Sequence, residues 1–125
     1  MTELLRLADL IRPGQKTRTA RFDGADHGAQ ASFFFVDNDP GQGPGLHWHP
    51  YSETWIVLDG VVRFRLGDGL GDAADTAVEE MDAGEGTVFT VPPERHHGFV
   101  NPGPDVLRMV CIHAGERIVQ YDLEE

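Results

Sequence analysis

The sequence predicts an all-β fold, and three observations support that prediction. Short runs rich in branched and aromatic residues recur along the 125 residues. Turn-forming pairs such as Asp59-Gly60 separate these runs, and glycine occurs 15 times. Many short strands divided by strong turns are typical of a β-sandwich or a β-barrel. We expect one domain across 1–125, because a chain of this length can bury a single hydrophobic core.

The first segment has helical rather than strand periodicity. Apolar residues at helical spacing are Leu4, Leu7, Ala8 and Ile11. Pro13-Gly14 ends the pattern, so we expect a short helix or arm over 1–15 that covers apolar surface. Strands are predicted next at 16–22, 31–36, 54–58, 61–66, 86–91, 98–100 and 106–113. The acidic segment 69–80 lacks a period and is expected to form a solvated loop.

Composition argues against several classes of partner. A formal charge of -11 disfavours nucleic acids and anionic membrane surfaces, which attract clustered lysine and arginine. Cys111 is the only cysteine, so no intrachain disulfide can form. The N-terminal residues lack an uninterrupted apolar segment of signal-peptide length. We therefore expect a cytoplasmic protein that binds neither nucleic acid nor a membrane. A small anionic substrate remains compatible with the charge, because a metal can reverse the potential inside a pocket.

Three metal-binding side chains occur within seven positions of the stretch 41–60. His47 and His49 lie one residue apart, so in a strand both side chains project from the same face. Glu53 follows a turn at 50–52 that could bring its carboxylate beside them. Two neutral imidazoles and a carboxylate suit a divalent first-row transition metal such as Fe, Mn, Ni, Cu or Zn.

A second stretch, 86–101, supplies a further partner and makes a family resemblance specific. The first stretch has the spacing of the first cupin motif through Gly41, His47, His49, Glu53 and Gly60. The second stretch resembles the second cupin motif through Gly86, Pro92, His97 and Asn101. Glu94 stands where the family usually has glycine, a departure that affects a turn and not a ligand.

The resemblance implies a double-stranded β-helix, or jelly-roll barrel, with one divalent metal inside. The implied ligands are His47, His49, Glu53 and His97. Four ligands leave two positions of an octahedral ion for water, dioxygen or a chelating substrate. The cupin register selects His97 over His96, which then faces outward as a surface or interface residue.

Two further histidines have less specific roles. His113 has the strand parity of Leu107, Met109 and Cys111, so it could reach the pocket wall. The more ordinary interpretation is a hydrogen-bonded histidine at a strand end. His27 lies among glycines and an aspartate, where a mobile surface loop explains it.

Other residues are candidates for the pocket. Tyr51, in the turn between ligands, is a candidate proton donor, and Glu53 is the ligand that could briefly take a proton. Arg63 and Arg65 share one strand face and could clamp a substrate carboxylate, although a solvent-facing pair is the more ordinary alternative. Cys111 is interpreted as a buried strand residue. The candidate pocket residues are Phe35, Trp55, Arg63, Phe89, Phe99, Met109 and His113.

The function that the resemblance implies is metal-dependent chemistry on a small molecule. The first hypothesis is an oxygenase or isomerase whose small oxygenated substrate chelates the metal. The second is a metal-containing module that binds or senses a small molecule without converting it. A metal-free sugar epimerase or storage protein is disfavoured because the ligand set is complete. The apolar arm and exposed strand edges predict a homodimer.

Overall fold

Two antiparallel β-sheets of five strands each form the structure, a computed structural model that describes residues 4–124. The strands are β1 Ala20–Phe22, β2 Ser32–Asn38, β3 His47–Trp48, β4 Glu53–Asp59, β5 Val62–Leu70, β6 Val78–Ala83, β7 Val88–Val91, β8 Arg95–Val100, β9 Leu107–His113 and β10 Tyr121–Asp122. The first sheet has the order β1-β2-β9-β4-β7, and the second has the order β10-β3-β8-β5-β6. The predicted all-β jelly roll is therefore confirmed.

Alternating burial along the central strands places the core between the two sheets. In β4, Trp55 and Val57 are buried while the residues between them are more exposed, as the two-residue period of a strand requires. The Trp55 ring joins the sheets, because its centroid lies 4.7 Å from that of Phe64 in β5 and 5.3 Å from that of Phe99 in β8. This packing holds the inner faces of the sheets in a fixed relation.

The N-terminal arm and the acidic segment differ from the prediction. The arm contains a single 3-10 turn, Leu7–Leu10, which lies beside β1, and Leu4, Leu5 and Leu7 remain exposed. The acidic segment is a loop only over 71–77, since β5 extends to Leu70 and β6 begins at Val78. Its acidic side chains suit the exposed face of an edge strand, where charge is tolerated.

Glu94 occupies a backbone conformation that explains why the related motif has glycine there. Its φ of 67° lies in the left-handed region, which side chains with a Cβ rarely adopt. The backbone hydrogen bonds fix this turn, because the Glu94 N–H donates to the His49 carbonyl at 2.8 Å. The Glu94 carbonyl in turn accepts from the Gly71 N–H at 2.9 Å. The departure from glycine is therefore accommodated with local strain, without loss of the turn.

No helix within residues 4–124 has the length and apolarity that crossing a membrane requires.

Replacing Glu94 with glycine should test this strain. We expect Glu94→Gly to keep the free energy of unfolding or raise it by up to ~1 kcal/mol, because relief of left-handed strain offsets the added chain entropy. Glu94→Val should lower it by about 1–2 kcal/mol. Urea denaturation measures both changes.

Glu85→Gly is the matched control, since Glu85 lies in a neighbouring turn without a positive φ. It should lose about 0.5–1 kcal/mol through chain entropy alone. An equal loss in Glu94→Gly and Glu85→Gly would contradict the strain at Glu94.

Candidate metal centre

Four side chains from both sheets converge between β3, β4 and β8. The antiparallel register places His47 directly opposite His97. The turn after β3 carries the chain into β4 of the other sheet, where Glu53 faces inward. The candidate ligand atoms of His47, His49, Glu53 and His97 all lie within 4.8 Å of one another, and all four residues are buried.

Backbone carbonyls fix which nitrogen of each imidazole carries the proton. A carbonyl oxygen only accepts hydrogen bonds, so an Nδ1 atom that contacts one must be the protonated nitrogen. The three Nδ1 atoms of His47, His49 and His97 donate to the carbonyls of Gly45 at 2.7 Å, Val119 at 2.7 Å and Arg95 at 2.8 Å. Each neutral ring therefore presents the lone pair of Nε2 to the interior.

Glu53 brings a negative oxygen into the same space. Its Oε1 lies 3.0 Å from Nε2 of His97 and 3.2 Å from Nε2 of His49. The His49 Nε2 atom has no hydrogen-bond partner among the described residues. Lone pairs that face a carboxylate at these distances repel it unless a cation lies between them. Three imidazole nitrogens and one carboxylate oxygen fit a divalent transition metal in that position.

Burial and neighbouring charge keep the donors in the state that binds a cation. Burial lowers the pKa of His47 to about 3, so its ring is neutral at neutral pH. Burial acts to raise the pKa of Glu53, but hydrogen bonding, led by His113, outweighs it and holds that pKa well below its usual range. Metal ligands need these deprotonated forms.

The candidate metal site lies at the inner end of an open cavity of about 630 Å³. Its walls combine apolar and polar side chains, which suits a small-molecule site. The apolar part is formed by Phe34, Val36, Phe99 and Cys111. Polar lining residues beyond the candidate ligands include Thr19, Arg21, Asn38 and Gln42, and the exposed Arg12 and Lys16 mark the mouth.

A family model for the cupin domain matches residues 34–113, a range that includes all four converging side chains. The chain belongs to the cupin family.

This cupin spans about half or less of the length of three similar known proteins. Mannose-1-phosphate guanylyltransferase 2 of Escherichia coli O157:H7 is 28% identical over 123 residues, which are 98% of this chain but 22% of that protein. The Bacillus subtilis oxalate decarboxylase studied for its Mn(II) centres superposes with a TM-score of 0.78 at 21% identity, over 94% of this chain and 31% of that one. An oxalate oxidase gives 0.71 at 21% identity, over 84% and 54%. These structural matches support the fold alone.

His113 contacts the second oxygen of Glu53. The two residues are opposite each other in the register of β4 and β9, and His113 is fully buried. His113 Nε2 lies 3.1 Å from Glu53 Oε2, although its ring N–H is not well aligned with that oxygen. Glu53 is thus held on both sides, with Oε1 toward the candidate metal and Oε2 toward His113. The cupin pocket includes His113, which is also a hydrogen-bonded histidine near a strand end.

Tyr51 lies behind His113 and fixes its protonation. Burial raises the pKa of Tyr51 to about 12, so the hydroxyl keeps its proton. Of its two possible acceptors, His113 Nδ1 at 2.6 Å is much closer than the Val119 carbonyl at 3.4 Å, so the hydroxyl donates to His113, while the Val119 N–H donates to the Tyr51 oxygen at 3.1 Å. With Nδ1 accepting, His113 carries its proton on Nε2, beside Glu53. Tyr51 is not among the described residues lining the cavity, so it acts through His113 and not on a ligand directly.

The predicted pocket residues separate into three groups. Phe99 and His113 line the cavity, whereas Trp55, Met109 and Phe89 pack in or against the core behind it. The prediction of Phe35 is wrong by one residue, because its neighbour Phe34 faces inward and lines the cavity. The Phe34 ring makes an edge contact with His113 at 5.3 Å between centroids.

Arg63 and Arg65 lie outside the cavity, so the predicted carboxylate clamp at Arg63 is wrong. Arg63 Nε donates to Asp82 Oδ1 at 2.8 Å across β5 and β6, and Arg65 pairs with Glu124. Both arginines pair with acidic residues on the outer face of the second sheet. They are the solvent-facing pair that was the alternative to a clamp.

His96 is buried and not a surface or interface residue as predicted. The segment after β5 folds back over it, so its Nε2 donates to the Gly71 carbonyl at 2.7 Å. Its Nδ1 lies 2.9 Å from Asp75 Oδ2. His27 belongs to an ordered 3-10 turn, Gly24–His27, and stacks on Phe22 at 4.7 Å rather than lying in a loop.

Sequence reasoning missed the cationic residues of the cavity: Arg12, Lys16 and Arg21. Arg21 alternates with Ala20 and Phe22 in β1, and its register partner Phe34 faces the cavity. Strand alternation could have predicted that Arg21 faces the cavity if the inward-facing residue of the neighbouring strand had been known. Three consecutive phenylalanines at 33–35 do not indicate which of them faces inward.

Tyr51→Phe should weaken metal binding by about tenfold, because the His113 ring loses the donor that orients it toward Glu53. Competition against a chelating dye measures the dissociation constant. Tyr121→Phe is the matched control, since Tyr121 stacks on Trp48 away from this cavity. Equal metal affinities in the two variants would contradict the positioning role of Tyr51.

Proposed function

We propose that this cupin is a metal-dependent enzyme, an oxygenase or isomerase whose small oxygenated substrate chelates the metal. The observation that supports the proposal best is the convergence of His47, His49, Glu53 and His97, the first three of which line an open cavity. A divalent transition metal held there would polarise a chelated substrate oxygen and stabilise developing enolate charge.

The chain's own residues supply positioning and proton transfer. Glu53 and His113 both line the cavity, and the protonated Nε2 of His113 lies beside Glu53 Oε2. Glu53 could briefly take a proton released by a substrate, and the His113 N–H would stabilise the carboxylate once that proton leaves. Phe34 and Phe99 form apolar walls that keep water from that proton and orient the substrate.

The alternative is a metal-containing module that binds or senses a small molecule without converting it. A module that only retains its ligand would be served by a wholly apolar cavity. The polar groups beyond the metal ligands, His113 and Arg21 among them, favour the enzyme. Mn(II) is the first ion to test, because the structurally similar oxalate decarboxylase contains Mn(II) centres. Fe, Ni, Cu and Zn also suit this donor set.

Metal content tests the ligand set. We expect about one Mn(II) per chain after loading and dialysis in the wild type, and far less in His49→Ala and His97→Ala, because each loses an imidazole lone pair. Elemental analysis measures the stoichiometry, and His27→Ala is the matched control with an imidazole removed outside this cavity. Stoichiometric metal in all four proteins would sink the assignment.

Turnover separates the enzyme from the module. Small hydroxy and oxo acids incubated with the loaded protein should be converted, with products followed by NMR and dioxygen uptake by electrode. A ligand that binds the metal-loaded protein and is recovered unchanged favours the module.

We also propose that the protein forms a homodimer through the outer face of the first sheet. The register aligns Phe35, Val110, Ile56 and Val88 in one apolar row across β2, β9, β4 and β7. Val88 is 63% exposed, which favours burial against a second copy.

Light scattering should give twice the chain mass for the wild type, and Val88→Lys should shift it toward the monomer because the charge cannot be buried. Val78→Lys on the other sheet should remain dimeric, as Val78 has similar chemistry at 41% exposure. A monomeric wild type at high concentration would refute the dimer.

A further inference from the structure

The cavity carries the opposite charge to the protein as a whole. The chain has a formal charge of -11, yet three cationic side chains line the cavity: Arg12, Lys16 and Arg21. Glu53, a candidate metal ligand, is the only acidic residue among the described residues that line it. A cavity of this kind concentrates anions even before a metal adds its charge.

Arg21 is held in place as a receptor for an oxyanion. Its guanidinium carbon lies 5.9 Å from the centroid of the Phe34 ring, and its Nε donates to Asp23 Oδ2 at 2.9 Å. Asp23 is itself fixed by the Ile118 N–H at 2.8 Å. Neither terminal nitrogen of Arg21 has a hydrogen-bond partner within residues 4–124. A guanidinium fixed at one edge and open at the other suits two parallel bonds to a carboxylate or phosphate.

Lys16 lies on a rim that is tied to the cavity wall. Its carbonyl accepts from Gln42 Nε2 at 3.1 Å, and Gln15 bonds the carbonyls of Thr17 and Thr19 at 2.7 Å each. No acidic side chain pairs with Lys16 in the described part of the chain. The ammonium group of Lys16 at the mouth is therefore not neutralised by an acidic side chain.

Arg12 and Arg21 both border a smaller cavity of about 280 Å³ that contains Asp9, Asp23 and Asp26. These carboxylates offset part of the charge of both arginines. Arg21 is distinguished by its two terminal nitrogens, which have no hydrogen-bond partner within residues 4–124, and by its place against Phe34.

Arg18 and Arg63, outside the cavity, engage carboxylates through their terminal nitrogens, whereas Arg21 pairs with Asp23 through Nε alone. Arg18 pairs with Asp37 at 3.0 Å and with Asp39 at 2.9 Å, and Arg63 pairs with Asp82 at 2.8 Å. Arg18 lies close in sequence to Lys16 and Arg21 but does not line the cavity. The terminal nitrogens of Arg21 therefore remain available to a ligand in the cavity.

We propose that the cavity selects small organic acids with two anionic ends: a chelating end at the four converging residues and a carboxylate or phosphate at Arg21 and Lys16. The chelating end rests on the proposed metal-dependent function. The inference of a second anionic end depends only on the cationic side chains at the mouth of the cavity, Arg21 and Lys16. A charge-assisted bidentate bond in a partly desolvated site contributes roughly 10- to 100-fold to affinity.

Four ligands with the same 2-hydroxy acid head test the second end without any mutation. Malate carries a distal carboxylate, 3-phosphoglycerate a phosphate, malamate an uncharged distal amide, and glycerate a hydroxyl. Calorimetry on the Mn(II)-loaded protein should show malate or 3-phosphoglycerate binding about tenfold or more tightly than malamate and glycerate. The tighter-binding of malate and 3-phosphoglycerate identifies the distal group. Equal affinity for malate, 3-phosphoglycerate and malamate would overturn the proposal.

Three variants identify the side chains that cause the preference for a distal anionic group. Arg21→Gln should abolish it, and Lys16→Gln should reduce it several-fold, while Arg18→Gln should bind the four ligands as the wild type does. Thermal unfolding and metal content of each variant establish that it is folded and loaded. A preference that survives in a folded Arg21→Gln protein would also overturn the proposal.

Metal removal separates this inference from the proposed function. In chelator-treated protein, all four affinities should fall by a common factor while the ratio of malate to malamate affinity persists. Affinities that do not respond to metal removal would refute the metal-bound end, and so the proposed function. A ratio that stays near one with and without metal would refute the cationic mouth instead.

Discussion

The site depends on one constraint. Three imidazole Nε2 atoms and one carboxylate oxygen face one another, and none of them carries a proton that could form a hydrogen bond between them. The Nδ1 protons of three imidazoles are committed to backbone carbonyls, so their Nε2 lone pairs point at one another and at a carboxylate. Such an arrangement is repulsive in a buried site unless a cation occupies the centre. The folding free energy that maintains it comes from elsewhere, chiefly from the packed sheets.

The two sheets supply that rigidity. Glu53 extends from one sheet and His47 and His97 from the other, so the donors stay together only if the sheets keep their spacing. Trp55 sets that spacing, because it packs against Phe64 and contacts the His97 ring edge-on at 5.8 Å. Ligands on paired strands hold their geometry better than ligands on loops. The open side of the barrel is then left for a guest.

The fold and the candidate donors were predictable because their signals are local in sequence. His47, His49 and Glu53 lie within seven residues of one another. The stretch 86–101 has the residue spacing of the second cupin motif around His97. The cavity wall was less predictable, since three consecutive phenylalanines hide the strand parity that brings Phe34 inward. His96 is buried by Asp75, 21 residues away, through a loop whose path the sequence does not indicate. The cations of the mouth depend on the same long-range placement.

X-ray absorption spectroscopy of the Mn(II)-loaded protein, with anomalous diffraction from its crystals, tests the central claim most directly. We expect one ion bonded to Nε2 of His47, His49 and His97 and to a carboxylate oxygen of Glu53, at roughly 2.0–2.3 Å. An ion bound at any other residues, or a first shell without three imidazole nitrogens, would contradict this claim.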